Sequence, residues 1–282
     1  MRDFADKVAV VTGGASGIGF AMAQRFADLG MRIVIADVEV DALGAAGEQL
    51  AATGTEVLTH VTDVTDATQV QALADVTIER FGAVHVVCNN AGVGGGGLSW
   101  ETPLETWEWV LGVNLWGVIH GVRTFVPLLI AQPEAHVVNT ASVAGLTAAP
   151  FMGPYNASKH AVVAISESLH HELAMMAPHV KVSVVCPGWV RTRIFESERN
   201  RPAHLAVPED PGRAAMNGLL QSMVETGLGA DDVAGQVLDA VRSERFWVLT
   251  HDAEDDFWVE AVNRRLESVR TRTNPTTALP GQ

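Results

Sequence analysis

Apolar residues in this chain fall into two spacings that alternate from end to end. Short, nearly all-apolar runs rich in β-branched residues recur at 8–11, 33–36, 57–60, 84–88, 136–139, 180–186 and 246–249. Such runs suit strands that are covered on both faces. Between them lie segments of helical length and pattern at 17–29, 41–52, 66–80, 104–131, 153–177 and 230–243. Strand, helix, strand, repeated in this way, predicts an α/β fold: a doubly wound, seven-stranded parallel sheet with right-handed crossovers and helices on both faces. Residues 252–270 predict one more helix, with Phe257, Trp258, Val262, Leu266 and Val269 near one face, packed on the body or on a neighbouring subunit. Residues 191–228 break the rhythm with Arg, Glu, Asn, Pro and Gly, and a long excursion after a strand of such a sheet reads as a lid or binding loop. No linker divides residues 1–270, and residues 271–282, with Pro275 and Pro280, read as a loose tail.

Composition narrows the function classes. A chain of 282 residues, 48% hydrophobic and 18% charged, suits one α/β domain with a sizeable core. The formal net charge of -14 argues against nucleic-acid and anionic-membrane partners. It leaves room for an anionic small ligand held by backbone amides and a helix N-terminus. Cys88 and Cys186 each end an apolar run, so both are expected to be buried in strands rather than to form a disulfide or a metal site. The chain enters its first strand without an apolar signal segment, and no unbroken apolar run approaches bilayer-spanning length. A soluble, cytoplasmic protein is the expectation.

The first strand leads into Thr12-Gly13-Gly14-Ala15-Ser16-Gly17-Ile18-Gly19, which opens the first helix. Glycines allow positive φ and close approach of the backbone to a pyrophosphate, and the helix start adds free N–H groups. Within a βαβ unit this is a dinucleotide signal, which makes Gly13, Ala15, Ser16, Gly17, Ile18 and Gly19 candidate cofactor contacts. Asp37 ends the second strand, where a carboxylate can accept both adenosine ribose hydroxyls. It would also repel the 2′-phosphate of NADP. No basic residue follows in Val38-Glu39, and Ser16 rather than Arg or Lys precedes Gly17, so NAD is expected over NADP. Asp63 is placed for the adenine amino group and Val64 for its ring. Asn89 reads as a clamp between strand ends, and Asn90, Ala91 and Gly92 as the approach to the ribose side. Gly94 to Gly97 reads as a plain flexible loop, because no helix starts directly after it.

The chain's one tyrosine, Tyr155, stands four residues before Lys159, one of three lysines. Positions i and i+4 of a helix share a face. A neighbouring ammonium favours the phenolate and pulls the phenol pKa below its usual value of about 10, toward use as a general acid/base. Ser142 follows the fifth strand, and ligands of doubly wound sheets sit beyond the carboxyl ends of the strands, so Ser142, Tyr155 and Lys159 should meet in one crevice. Pro187, Gly188, Val190 and Thr192 leave the sixth strand at the same edge, with Thr192 placed for a nicotinamide carboxamide.

Taken together, Thr12 to Gly19, Asp63, Asn89 to Gly92, Asn114, Ser142, Tyr155 with Lys159, and Pro187-Gly188 resemble the short-chain dehydrogenase/reductase family over about residues 5–250. The resemblance implies strand order 3-2-1-4-5-6-7 and a fourth member of the catalytic set, Asn114. It further implies that Ser142 bonds the substrate oxygen and Tyr155 moves the proton. Lys159 would hold the nicotinamide ribose, and Asn114 a water that links Lys159 to solvent. It implies a homodimer or homotetramer built on helices 104–131 and 153–177, where Trp107, Trp109 and Trp116 would be buried in an interface or equally in the core. The implied activity is interconversion of a secondary alcohol and a ketone. An NADP-dependent reductase and a non-catalytic dinucleotide-binding regulator are the alternatives. Phe151, Met152, Trp189, Ile194 and Phe195 would line the cleft and suit a largely apolar substrate. The lid arginines Arg191, Arg193, Arg199 and Arg201 offer the other possibility, a carboxylate or phosphate.

Overall fold

A computed structural model describes residues 1, 3–208, 211–251 and 257–275. Seven strands form one parallel sheet: β1 (Val8–Thr12), β2 (Arg32–Asp37), β3 (Val57–Val61), β4 (Val86–Asn89), β5 (Ala135–Thr140), β6 (Val180–Cys186) and β7 (Trp247–Leu249). Their order is β3-β2-β1-β4-β5-β6-β7, as expected. The apolar runs are explained by position. β1, β4 and β5 are buried along their whole length, while the edge strands β3 and β7 are partly exposed.

The helices are α1 (Gly17–Ala27), α2 (Val40–Ala51), α3 (Ala67–Phe81), α4 (Leu104–Leu111), α5 (Gly117–Ile130), α6 (Gly153–Met176), α7 (Pro211–Glu225), α8 (Ala230–Ser243) and α9 (Phe257–Thr271). α1, α2 and α8 cover one face of the sheet through Phe26, Leu43, Leu50 and Val237. α3, α5 and α6 cover the other through Leu73, Phe125, Leu129, Leu169 and Leu173. α9 ends at Thr271, inside the span expected as a tail, and residues 276–282 of that tail lie outside the described residues.

Two expectations need correction. α4, a π turn at Gly112–Trp116 and α5 run on as one helix, Leu104–Ile130, which contains an 18-residue stretch with a mean hydropathy of 1.4. By length and composition that helix is apolar enough to cross a bilayer. A search for one unbroken apolar run overlooks it because Glu105, Glu108 and Arg123 punctuate the stretch. Packing accounts for its apolarity: Trp109 and Val110 join Val93 and Leu205, and Phe125, Val126 and Leu129 lie under the sheet. The second correction concerns 191–228, which is largely helical. It holds 3-10 turns at Ile194–Asn200 and Ala203–Leu205 and then α7. Its two ends are zipped together, with Arg191 N donating to Leu228 O (2.8 Å) and Leu228 N to Trp189 O (2.9 Å). A long excursion closed at its base in this way is a compact unit of its own rather than a loose loop.

The strand order reverses between β1 and β4, which opens a crevice at their carboxyl ends. A buried polar ladder braces it from below. Asn89 Nδ2 donates to Asn139 Oδ1 (2.9 Å), and Asn139 Nδ2 to Ser166 Oγ on α6 (3.0 Å). This is the clamp expected of Asn89. α5 approaches so closely that a Cβ on Gly121 would overlap the Asn89 side chain, which is why glycine stands there.

Candidate active site

The crevice is one cavity of about 640 Å³ that runs from the turn after β1, past β4 and β5, to the lid and α9. At its first end Gly13 takes φ +63° and Gly17 φ +55°. A Cβ on Gly13 would lie 2.8 Å from Ala91 Cα, so the turn packs directly on the loop after β4. Ser16 precedes α1 without capping it, and no acidic residue stands in the first turn. The leading N–H groups of α1 are therefore left for an anion at Gly13, Ser16 and Ile18, all of which line the cavity. These residues fit a dinucleotide pyrophosphate. A Gly13→Ala variant is expected to weaken dinucleotide affinity at least about tenfold, because the side chain adds both a clash and a strained φ; equilibrium titration of NADH fluorescence reads the change.

Asp37 turns its carboxylate into this end. Oδ2 accepts Ala15 N (3.1 Å) and Oδ1 accepts Glu39 N (3.2 Å). Burial raises its pKa, and the amide bonds oppose the rise. Val38, Asp63, Val64, Asn90, Ala91, Gly92, Pro187, Gly188, Val190 and Thr192 line the same cavity. Asp63 accepts Thr65 N (2.9 Å) and Thr65 Oγ1 (2.8 Å), an Asx turn that fixes the loop after β3. Asn90 also ties the strand ends together. Its Nδ2 donates to Thr12 O (3.1 Å) and Gly13 O (3.3 Å), and its Oδ1 accepts Thr140 Oγ1 (3.1 Å). The amide binds three strand ends together at the wall of the cavity.

One basic group near Asp37 was invisible to local sequence. Arg199, on the lid, pairs with Glu39 (Nη2–Oε1 2.5 Å, Nε–Oε2 3.2 Å), and Asn200 Nδ2 adds a third bond (3.0 Å). The guanidinium holds the Glu39 carboxyl below its usual range. The other lid arginines are also engaged. Arg191 bonds Gly227 O, Arg193 pairs with Glu196, and Arg201 pairs with Glu198 while stacking 4.2 Å over Trp109. To receive a substrate anion, each of these arginines would first have to leave its present partner. Gly94 to Gly97 is pinned rather than free: Gly94 N donates to Ile194 O (3.2 Å), and Gly97 N to Phe151 O (2.8 Å).

At the chemical end Ser142, Tyr155 and Lys159 line the cavity together. Ser142 Oγ donates to Pro187 O (3.3 Å) and caps the 3-10 turn Val143–Gly145. Lys159 Nζ donates to Thr140 O (2.9 Å) and lies 5.6 Å from the Tyr155 ring centre. Burial lowers the Lys159 pKa to about 8. Tyr155 is half-buried by surface area, yet the atoms crowded around it raise its pKa; the Ser142 hydroxyl pulls the other way. This reverses the expected shift. Desolvation penalises the phenolate, the direction opposite to that expected from an ammonium neighbour. Asn114 is fully buried on the π turn, a distortion that often marks functional sites. Its Oδ1 accepts Val93 N (2.8 Å), and its Nδ2 donates to Val93 O (3.0 Å) and Ser158 Oγ (3.3 Å). The side chain thus positions the loop after β4.

Beyond Tyr155 the walls are apolar. Phe151, Met152, Trp189, Ile194 and Phe195 stand there as expected, joined by Val93, Trp109 and Val113, by Leu220, Met223 and Val224 of α7, and by Trp258 of α9. Trp109 is therefore a wall of this chain's own cavity, while Trp116 is exposed.

The short chain dehydrogenase family profile matches residues 7–203. The chain belongs to the short-chain dehydrogenase/reductase family. A short-chain dehydrogenase/reductase from Burkholderia phymatum, solved in complex with NAD, superposes with a TM-score of 0.95 at 47% identity, covering 99% of both chains. A CLA biosynthesis dehydrogenase/reductase of Lactiplantibacillus plantarum is 34% identical over 94% of each chain. A 1-deoxy-11-beta-hydroxypentalenate dehydrogenase of Streptomyces exfoliatus is 38% identical over 89% of this chain and 88% of its own. Membership in this oxidoreductase family agrees with the convergence of Ser142, Tyr155 and Lys159 on the cavity that starts at the glycine turn.

Proposed function

We propose that the protein is an NAD-dependent oxidoreductase that interconverts a largely apolar secondary alcohol and its ketone. The observation that carries this reading is the shared cavity: Asp37 stands at one end, and Ser142, Tyr155 and Lys159 stand where the walls turn apolar. The names of the two relatives, one a dehydrogenase and one a dehydrogenase/reductase, support it.

Bound in the cavity, the nicotinamide would supply or accept the hydride. The residues of the chain do the rest. Ser142 Oγ turns from Pro187 O to donate to the substrate oxygen. Tyr155 takes the carbinol proton in oxidation and returns it in reduction. Lys159 presents its ammonium to the phenolate that forms. The apolar walls exclude water and orient the reacting carbon.

Asp37 favours NAD, because a 2′-phosphate would meet its carboxylate and that of Glu39. Arg199 is the observation that favours a second reading, NADP, with the guanidinium released from Glu39 to the phosphate. Titration with each reduced cofactor decides between them. NADH is expected to bind at least about tenfold tighter, the order of one repelled charge; equal or tighter NADPH binding would transfer the assignment to NADP. A panel of secondary alcohols read at the NADH absorbance then tests the reaction itself. The further reading is of a homodimer or homotetramer, supported by the exposed Trp116 on the helix 104–130 and open to test by sedimentation; the cytoplasmic location expected from the sequence is tested by cell fractionation.

A further inference from the structure

α9 lies beyond the matched family region of residues 7–203, and the structure gives it a place at the site. Trp258, Ala261 and Arg265 recur at helical spacing on one face. Trp258 lines the cavity, Ala261 is buried, and Arg265 anchors the helix. Arg265 Nη1 donates to Leu146 O (2.8 Å) and to His160 Nε2 (2.5 Å). His160 Nδ1 lies 2.9 Å from Asn156 O, so the tautomer with its proton on Nδ1 leaves Nε2 as the acceptor that Arg265 needs. Leu146 follows the 3-10 turn capped by Ser142, and His160 is the neighbour of Lys159. The helix is thus tied to the two segments that carry the chemistry. Val259, Leu266 and Val269 point away and are exposed.

We infer that Trp258, held in place by the Arg265 anchor, is a specificity-determining wall that limits the substrate to a compact apolar alcohol or ketone. The dinucleotide and the substrate must share one cavity, and Trp258 lines it together with Met223 and Val224. The inference rests on the alcohol–ketone reading above and deepens it.

The test compares the wild-type protein with Trp258→Ala, Arg265→Ala and the outward control Leu266→Ser. Kinetics with NAD are measured on cyclohexanol and on 1-(2-naphthyl)ethanol, and binding of 2-acetonaphthone is measured by calorimetry. For Trp258→Ala, KM for cyclohexanol should rise about tenfold with kcat within about twofold, and kcat/KM for the naphthyl alcohol should rise about tenfold, the range one pocket contact gives. 2-Acetonaphthone should bind more tightly to the variant. Arg265→Ala should shift the same ratio in the same direction, and Leu266→Ser should leave it unchanged. An unchanged substrate ratio in Trp258→Ala, or equal losses of kcat on both alcohols, overturns the wall. If the wild-type protein oxidises neither alcohol, the alcohol–ketone reading fails, and calorimetry still decides the wall: tighter 2-acetonaphthone binding in Trp258→Ala supports it, and equal or absent binding in both overturns it.

Discussion

A Tyr155→Phe variant is expected to bind NADH within about twofold of wild type and to lose about 10²–10⁴-fold in kcat, the usual worth of a positioned acid/base. The substitution removes one oxygen and leaves the ring that packs beside Lys159. Ser142 cannot take over, because its hydroxyl serves as a donor to an oxygen and has no raised basicity of its own. The pH profile follows from the direction of the Tyr155 shift. Burial raises the phenol, so at neutral pH the group is protonated and ready to give a proton to a ketone. Reduction should therefore be favoured near neutrality, and alcohol oxidation should climb through the alkaline range as the phenolate forms. Steady-state rates in both directions between pH 6 and 10, followed at the NADH absorbance, check both statements. A variant within tenfold of wild-type kcat, or oxidation that declines above pH 8, would contradict the assignment of the proton to Tyr155.

Lys159→Met is expected to make the protein more stable and to inactivate it. Burial lowers the Lys159 pKa from 10.5 to about 8, so below pH 8 the folded state carries a desolvated ammonium that the unfolded chain keeps in water. Between pH 8 and 10.5 the unfolded state binds more protons than the folded one, so the stability of wild type rises with pH across that window. Removing the ammonium should add about 3 kcal/mol at pH 7 by the pKa difference, less about 1 kcal/mol for the lost hydrogen bond to Thr140 O. The remaining ~2 kcal/mol corresponds to a Tm gain of several degrees for a chain of this size. That gain should shrink above pH 8 and reverse by pH 10.5, where the charge penalty is gone and only the lost hydrogen bond remains. Calorimetry at pH 7 and pH 10 reads it. A variant less stable than wild type at pH 7 would show that the bond to Thr140 outweighs the burial of the charge. Instability retained for function is a general feature of active sites.

Much of this molecule was legible before any coordinates. The β-branched runs marked all seven strands within one or two residues, because the central strands are buried on both faces and so read as nearly continuous apolar runs. The glycine turn, Asp37, Ser142 and the Tyr155–Lys159 pair were legible because each depends on a short spacing in sequence. α7 was not. Its start at Pro211-Gly212 and the polar residues around it read as loop chemistry, and only its place over the cavity gives Leu220, Met223 and Val224 a reason to be apolar. Trp258 was assigned to a helix but to no site. Arg199 was grouped with the other lid arginines, although it meets Glu39 across 160 positions of sequence.

What the sequence determined by itself is therefore the sheet, its order through family likeness, and the polar groups that meet in the cavity. These are encoded locally, by periodicities of two to four residues and by turns that only certain residue types can make. The tertiary structure alone decided how those groups are tuned and what surrounds them. Desolvation, which depends on every atom packed nearby, turned the Tyr155 shift upward against the expectation from its neighbour. Partners distant in the chain pinned Arg199 to Glu39 and tied α9 to Leu146 and His160. Burial and long-range pairing are sums over the whole fold, and no short window of sequence contains them.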